Sequence, residues 1–470
     1  MNWEGFKTLL LTILVLLSFL LTSNLWTYET QSHHVEQSNF VTSAITKNAQ
    51  NGKRALGEVV HPDKSVLHKE GKNYGLISGT VLSKLFQAVT GAKYHDVMIY
   101  GEDVASTKLA NAIKEPDSDS IEIIFPTKIP ISLFGQLLEG QQNGKQSGFT
   151  SDTMFDRIFF YKATQKQTTK MLAFFKSGKD TIGMAKVNNV SFADLEHYYP
   201  EENRRIFIKR KGIYFPAREP HLKELYYFSA YSWIDVERFK KALFDDPKYV
   251  VESQKNLFSS TSEVMQVKDH ILQFSNTEPG TQQLNQNLST GGGLPNIQIS
   301  FNYIDSHSGW TDPYTLFAYE QPENKKSDSQ ATVVYRLMAG KGETKYPVFG
   351  KVTGSYPHYD DAGTILVIME NGSVYKYIRT LMDLGSSPDG SQPADLESGT
   401  ALWNELSSSK YVQLYRVKDI RIGYQMKNGF PPKNGPVVFI PKWYVLYQNQ
   451  WLPAEQVING ISKAQGEVKQ

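Results

Sequence analysis

The 470-residue sequence contains no cysteine, and this absence excludes several kinds of chemistry. Without a thiol the chain has no disulfide, no thiolate metal site or iron–sulfur cluster, no cysteine nucleophile and no cysteine-linked lipid. A charge excess is also missing, because 50 basic and 48 acidic residues leave a formal net charge of +2. Nucleic-acid-binding proteins usually carry a clear basic excess, so we do not expect nucleic acid as a partner.

Catalytic motifs are missing as well. The sequence has no G-x-S-x-G elbow, no S-x-x-K with its usual companion motifs, no H-E-x-x-H and no Walker A loop. The most metal-like local group, His358 to Asp361, is more typical of a solvated acidic turn between strands. We therefore predict no catalytic residues, no metal site and no cofactor.

One long apolar run is present, from Phe6 to Trp26 near the N-terminus. About 20 apolar residues span the core of a bilayer as a helix, and Lys7 is the only charge in this run. A cleaved signal peptide is the alternative interpretation. However, the run exceeds an apolar h-region of about 7–15 residues, and no A-x-A-like site follows it. We therefore expect an uncleaved transmembrane helix.

Residues with aromatic or cationic side chains lie at or near the two ends of this run. Aromatic rings favour both membrane interfaces, and positive charge favours the cytoplasmic side. The N-terminus is therefore predicted to lie in the cytoplasm and the bulk of the chain outside the cell membrane. The predicted interface anchors are Trp3, Lys7, Trp26 and Tyr28.

Four hydroxyl-bearing residues share one side of the predicted transmembrane helix. At about 100° per residue they fall within an arc of roughly 120°. Two pairs have small-xxx-small spacing, which lets helices approach closely in lipid. The alternative is that these hydroxyls bond to carbonyls of their own helix. The predicted contacts with a partner helix are Thr8, Thr12, Ser18 and Thr22.

The rest of the chain alternates strand-like segments with fewer helical ones. Lys170–Val187 is typical of a hairpin, and Asn371-Gly372 is typical of a type I′ turn. Asp235 is placed to cap a short helix over residues 234–244. Residues 296–303 alternate apolar with other residues, which predicts a strand.

Two segments allow more than one interpretation. Residues 264–274 are compatible with either a strand or a helix. The basic run at 204–211 interleaves charged with apolar residues, which predicts an edge strand with outward-facing Lys and Arg. Contact with an anionic wall polymer or lipid headgroups is the alternative for this run.

These patterns predict an α+β protein, with a single N-terminal transmembrane helix followed by a multidomain ectodomain of mostly antiparallel sheets and a few helices. Residues 275–296 are the best linker candidate, with a long loop inside a sheet as the alternative. The predicted division is 1–28 for the cytoplasmic tip and transmembrane anchor, 29–56 for a stalk, 57–150 for an N-terminal α+β domain, 151–275 for a middle α+β domain and 276–470 for a C-terminal α+β domain.

Two segments carry a resemblance to a known family. The chain opens MNWEGFKTLLL, and Val437–Pro453 reads VVFIPKWYVLYQNQWLP, with a P-x-W-x-V pattern at Pro441–Val445. With a cysteine-free α+β ectodomain of this length, the chain resembles the YycH family of Firmicutes membrane-anchored regulators over essentially its whole length.

This resemblance implies a non-enzymatic extracytoplasmic protein that controls a sensor histidine kinase of the WalK type, and with it cell-wall metabolism. It also implies a companion membrane regulator of the YycI type, with association through transmembrane helices and ectodomains. It supplies no site residues, because the family has no enzymatic motif. The residues alone leave two other functions open: a membrane-anchored cell-wall hydrolase or carbohydrate-binding module, and a scaffold for the division or wall machinery.

Overall fold

The computed structural model divides the chain into two units, Met1–Thr42 and the compact Ser43–Gln470. In the first unit only Val15 and Ser18 are described, and both are helical. In the second, the structure describes Ile45 and residues 52–100, 119–139, 148–165, 168–199, 205–218, 220–228, 231–277, 295–321, 330–342, 344–350, 362–385, 387–427 and 435–460.

The first half of the compact unit, through residue 218, is built on a nine-stranded antiparallel sheet, here called sheet 1. Its strand order is β3-β7-β6-β5-β4-β1-β2-β8-β9. The strands are β1 (Lys64–Lys69), β2 (Lys72–Ile77), β3 (Lys93–Ile99), β4 (Ser120–Pro130), β5 (Met154–Gln165), β6 (Thr168–Ser177), β7 (Asp180–Asn188), β8 (Arg205–Arg210) and β9 (Ile213–Pro216). The helices described in this half are α1 (Leu56–Val59), α2 (Thr80–Thr90), α3 (Ile131–Glu139) and α4 (Phe192–Glu196).

The second half, from residue 220, contains a 14-stranded sheet, here called sheet 2, and a two-stranded ribbon. The strands are β10 (Leu222–Tyr227), β11 (Ser232–Trp233), β12 (Val251–Gln254), β13 (Leu257–Ser259), β14 (Glu263–Lys268), β15 (Ile271–Asn276), β16 (Tyr314–Glu320), β17 (Ala331–Ala339), β18 (Tyr346–Phe349), β19 (Thr364–Glu370), β20 (Ser373–Thr380), β21 (Met382–Asp383), β22 (Gly390–Ala394), β23 (Val417–Met426), β24 (Val437–Tyr447) and β25 (Gln450–Pro453). The described helices are α5 (Val236–Leu243), α6 (Asn296–Ser306), α7 (Gly399–Ser408) and α8 (Ala454–Asn459), with 3-10 turns at Pro247–Tyr249 and Leu414–Arg416.

Strand pairing in sheet 2 is antiparallel except between β18 and β23. The path runs β12-β13-β14-β15-β20-β19-β17-β18-β23-β24-β10-β22, while β16 pairs with β17 and β25 with β24. The ribbon joins β11 to β21. The predicted α+β class with mostly antiparallel sheets is therefore confirmed.

Three local predictions are confirmed by the backbone. Strands β6 and β7 form the hairpin expected over Lys170–Val187. Asn371 and Gly372 have φ values of 50° and 76°, the left-handed conformations that a type I′ turn requires. The Asp235 side chain accepts a hydrogen bond from the Glu237 N–H and so caps α5.

Three segments differ from their simplest interpretation. The prediction of a strand at 296–303 is wrong, because these residues begin α6. The buried Ile297, Phe301 and Ile304 recur at helical spacing. Residues 264–274 contribute to two strands, β14 and β15, instead of one element. Strand β8 of the basic run is not an edge strand, because β2 and β9 pair with its two sides.

One hydrophobic core cluster includes buried residues from both halves. In the first half, Phe134, Phe155 and Phe175 meet edge to face with ring centroids 5.4–5.8 Å apart. Sheet 1 has strands on both sides of residue 150, and sheet 2 has strands on both sides of residue 275. The sequence predicted domain boundaries at these two residues. A domain boundary separates segments that fold independently, which strand pairing does not measure, so the division stays a prediction.

Candidate functional site

Most residues predicted to lie at the membrane are outside the described part of the chain. Ser18 is described, and it is helical and exposed. Among the described residues, no helix combines the length and apolar character needed to cross a bilayer. The predicted contact and anchor residues that lie outside the described part are Thr8, Thr12, Thr22, Trp3, Lys7, Trp26 and Tyr28. These contacts stay predictions.

The described residues do not gather three or more His, Cys, Asp and Glu side chains into a group suited to a metal ion. The segment from His358 to Asp361, considered above as a metal-like group, lies outside the described ranges.

A buried carboxylate–histidine pair lies within sheet 1. Fully buried Glu122 is 3.0 Å from His68 Nε2 and accepts a 2.6 Å hydrogen bond from Arg157. Burial raises the pKa of Glu122, but the hydrogen bonds and charges of His68 and Arg157 outweigh burial and lower it. Ser65, on the same strand as His68, donates to the Glu122 carbonyl and contacts Tyr199. Glu122, His68 and Arg157 therefore link β4, β1 and β5. The Ser65 hydroxyl bonds to Glu122 and Tyr199 and is not a nucleophile activated by this pair.

Four charged residues join the two halves in what we call the junction ion-pair network. Lys64 Nζ of the first half lies 3.2 Å from Asp419 Oδ1 of the second, and Arg421 Nη1 lies 3.5 Å from Asp63 Oδ1. Arg421 also pairs with Asp419 and stacks over the Trp451 ring, 4.3 Å from its centroid. Burial raises the pKa of Asp419, but Lys64 and Arg421 together lower it to about 2. The network therefore holds the two halves with balanced, largely buried charges.

Aromatic packing reinforces the same junction. The Phe215 ring of β9 lies 6.1 Å from the Trp403 ring and 6.4 Å from the Trp443 ring of the second half. Gly399, at the start of α7, fits closely under β9, because a Cβ there would lie 2.0 Å from the Pro216 carbonyl oxygen. Close approach of backbone to backbone at this point requires glycine.

A cleft of about 750 Å³ lies between the two halves, and we call it the basic cleft. Strand β2, the first turn of α2 and the start of β8 form one wall, and β10 forms the other together with Lys341, Gly342, Thr344, Tyr346 and Tyr424. At Gly75 in this wall, a Cβ would lie 2.3 Å from the Phe207 ring. Glycine therefore lets β8 pack directly against β2.

The described residues that line the basic cleft include four exposed cations and no carboxylate. Arg205 Nη1 donates a long 3.5 Å hydrogen bond to the Tyr346 hydroxyl, and Lys341 donates a 3.1 Å hydrogen bond to Ser391 Oγ. Burial raises the pKa of Tyr346, with an opposing, smaller effect from Arg205, so this hydroxyl stays neutral. The four cations are Arg205, Arg218, Lys223 and Lys341.

Sequence reasoning found only part of this site. Arg205 belongs to the basic run singled out above, for which an anionic partner was the alternative interpretation. Arg218, Lys223 and Lys341 stand in no sequence pattern that signals a site. The tertiary fold brings Lys341 to the cleft from more than 100 residues further along the chain. A basic cleft of this kind is visible only after the two halves are assembled.

Comparison with known proteins covers nearly the whole chain. The family model for the YycH protein N-terminal domain matches residues 4–203, and the model for the YycH protein C-terminal domain matches residues 210–459. A relative from Bacillus subtilis (strain 168), named two-component system WalR/WalK regulatory protein YycH, is 21% identical over 471 residues. That match covers 96% of each chain.

The fold is shared with a solved structure. The crystal structure of YycH from Bacillus subtilis superimposes with a TM-score of 0.61 at 18% identity, covering 86% of this chain and 97% of that one. At 18% identity this likeness shows a shared fold and does not by itself show a shared function. Because the two family models together match nearly every residue from 4 to 459, the chain belongs to the YycH family.

Proposed function

We propose that this chain is a non-enzymatic regulatory protein that modulates a sensor histidine kinase of the WalK type, and through it cell-wall metabolism. The observation that carries the proposal is family membership over nearly the whole chain, together with the name of the Bacillus subtilis relative, a WalR/WalK regulatory protein. A companion regulator of the YycI type is the second partner in this proposal.

The proposed location is the cell membrane, with one span, a cytoplasmic N-terminus and the bulk of the chain outside. The apolar run from Phe6 to Trp26, with Lys7 at its start, supports this arrangement. The hydroxyl-bearing side of the run supports contact with a partner helix in the lipid.

Regulation in this proposal works by a population shift. A kinase with two conformations responds to any partner that binds one of them better, by as much as the difference in affinity. A coupling of about 1–3 kcal/mol changes the ratio of states by about 5- to 150-fold, which a few helix contacts can supply. The junction ion-pair network would let the extracytoplasmic part act as one body in this coupling.

Co-purification from membranes tests the partner. In cells that produce both proteins, we expect the tagged full chain to recover the WalK-type kinase. We also expect recovery to fall when Thr8, Thr12, Ser18 and Thr22 are all replaced by Leu. A matched control replaces Leu10, Ile13, Leu17 and Leu20, on the opposite side of the same helix, by Val and should keep the kinase. Equal recovery of the kinase by both variants would show that this helix face does not contact the kinase. No recovery of the kinase by the wild-type chain would show that the kinase is not its partner.

The absence of cysteine gives a direct test of membrane topology. Intact cells producing a Lys255→Cys variant should react with a membrane-impermeant maleimide, because Lys255 is exposed on the compact unit. An Asn2→Cys variant should react only after the cells are permeabilised. The reverse labelling pattern would place the compact unit in the cytoplasm and contradict the proposal.

Activity on cell-wall material tests the non-enzymatic part. The purified full chain should release no fragments from peptidoglycan over the time in which a known hydrolase digests the same sample. Turnover by the chain would favour the hydrolase that the residues alone left open.

A further inference from the structure

We propose that the basic cleft binds a small organic phosphate. Its volume of about 750 Å³ lies within the range of about 300–1,000 Å³ that is typical of small-molecule sites. The site lies where the two halves meet, so a bound ligand would contact both. This inference goes beyond the regulation of a kinase and does not require it.

The charge of the cleft lining carries the proposal. The hydrogen bonds of Arg205 and Lys341 go to hydroxyl groups, which leaves both positive charges without compensation from those partners. Glu224, next to Lys223 in sequence, is not among the described lining residues and accepts hydrogen bonds from Tyr226 and Gln392. Like charges gathered around one cavity repel each other, and an anion bound among them relieves that repulsion.

The chemistry of the lining favours phosphate. Arginine presents a planar fork that bonds two phosphate oxygens at once, and lysine supplies a compact point charge. Helix α2 starts at the cleft, and no side chain caps it at Gly79, so its first N–H groups add partial positive charge. The helix end only adds to the four cations, on which the proposal depends.

The apolar part of the lining favours an organic ligand over bare phosphate. Val81, Ile206 and Leu222 line the cleft together with the rings of Tyr346 and Tyr424. An apolar or sugar-like body attached to the phosphate would cover these side chains. A soluble phosphate ester and a phospholipid headgroup share this chemistry, and the experiment below separates the two sources.

Calorimetry on the purified full chain in a non-ionic detergent tests the proposal. Inorganic pyrophosphate and glycerol 3-phosphate should both bind saturably, and uncharged glycerol should not. Replacing Arg205, Lys223 and Lys341 together by Glu should weaken binding by about tenfold or more, because each charge-assisted hydrogen bond makes a large contribution.

A matched control carries the same change of net charge elsewhere. Lys72, Lys179 and Lys255 are exposed and do not line the cleft, so their combined replacement by Glu should change the dissociation constant little. Circular dichroism and thermal melting confirm that both triple variants are folded. Equal binding by the two variants, or no binding of either phosphate by the wild-type chain, would overturn the proposal.

Vesicles identify the source of the phosphate. Competition with pyrophosphate by vesicles of phosphatidylglycerol in phosphatidylcholine, and not by pure phosphatidylcholine, would assign the cleft to an anionic lipid headgroup. Unchanged pyrophosphate binding in the presence of either vesicle would assign it to a soluble phosphate ester. Binding of a Glu-rich peptide without binding of either phosphate would overturn the proposal and favour an acidic protein segment.

Discussion

The junction ion-pair network and the basic cleft lie between the same two halves but arrange their charges in opposite ways. In the network, two carboxylates balance two cations, and none of the four side chains is more than 19% exposed. In the cleft, four exposed cations face one cavity, and the described lining holds no carboxylate. Balanced buried charges stabilise the junction, whereas exposed charges of one sign weaken it slightly and remain available to an anion.

The largest expected effect comes from removing a charge of the network. Asp419→Asn should lower the free energy of unfolding of the full chain by about 2–3 kcal/mol at pH 7. A pKa of about 2 against an ordinary 3.8 corresponds to about 1.4 kcal/mol per unit. Urea unfolding measures the loss. Asp180→Asn, at an exposed position at the start of β7, should change stability by less than about 0.5 kcal/mol. Equal losses would show that the network does not stabilise the junction.

The same contribution should depend on pH with a defined sign. Since the folded-state pKa of Asp419 is below its unfolded value of about 3.8, its stabilisation is fully present above that value. It is then lost as the pH falls from about 5 to about 2. The difference in unfolding free energy between wild type and Asp419→Asn should therefore shrink over this range. A difference that stays constant down to pH 2 would show that the Asp419 carboxylate does not titrate as described.

A smaller loss is expected where backbone packs against backbone at the junction. Gly399→Ala places a methyl group 2.0 Å from the Pro216 carbonyl oxygen, so α7 must shift at a cost of about 1–2 kcal/mol. Gly57→Ala is the control, because its Cβ would meet only Leu137 at 3.8 Å. Thermal unfolding should separate the two variants, and similar melting temperatures would contradict the close packing under β9.

The smallest effect on stability is expected in the cleft. Lys341→Gln should change the free energy of unfolding by less than about 0.5 kcal/mol, because Lys341 is exposed and bonds only a hydroxyl group. The matched Lys64→Gln substitution removes a largely buried cation from Asp419 and should cost clearly more. A larger loss for Lys341→Gln than for Lys64→Gln would reverse the roles assigned to the two regions.

Sequence patterns predicted the elements whose signal is local. The β6–β7 hairpin and the Asn371-Gly372 turn follow from alternating apolar residues and turn chemistry. The turn between β14 and β15 was missed because Asp269 and His270 adopt φ values of 49° and 61° without a glycine. Helix α6 was missed because alternation over eight residues imitates a strand.

Proline in β24 shows how tertiary context overrides a local rule. Proline usually interrupts a central strand, yet β24 runs through Pro441 from Val437 to Tyr447 without a break. Strand β23 pairs along its whole length, while β10 pairs only as far as Phe439 and β25 begins at Tyr444. Pro441 pairs with Tyr424 of β23, and no described strand pairs with its other side, where a missing N–H is tolerated.

By itself the sequence determined the family, the α+β class, the apolar run at the start and the absence of thiol chemistry. Each of these depends on composition or on residues that are close along the chain. Only the tertiary structure decided that Lys64 meets Asp419 and that Arg205 faces Lys341 across a cavity. Contacts between residues 355 positions apart leave no periodicity in a single sequence, because they form only when both sheets have folded and packed together.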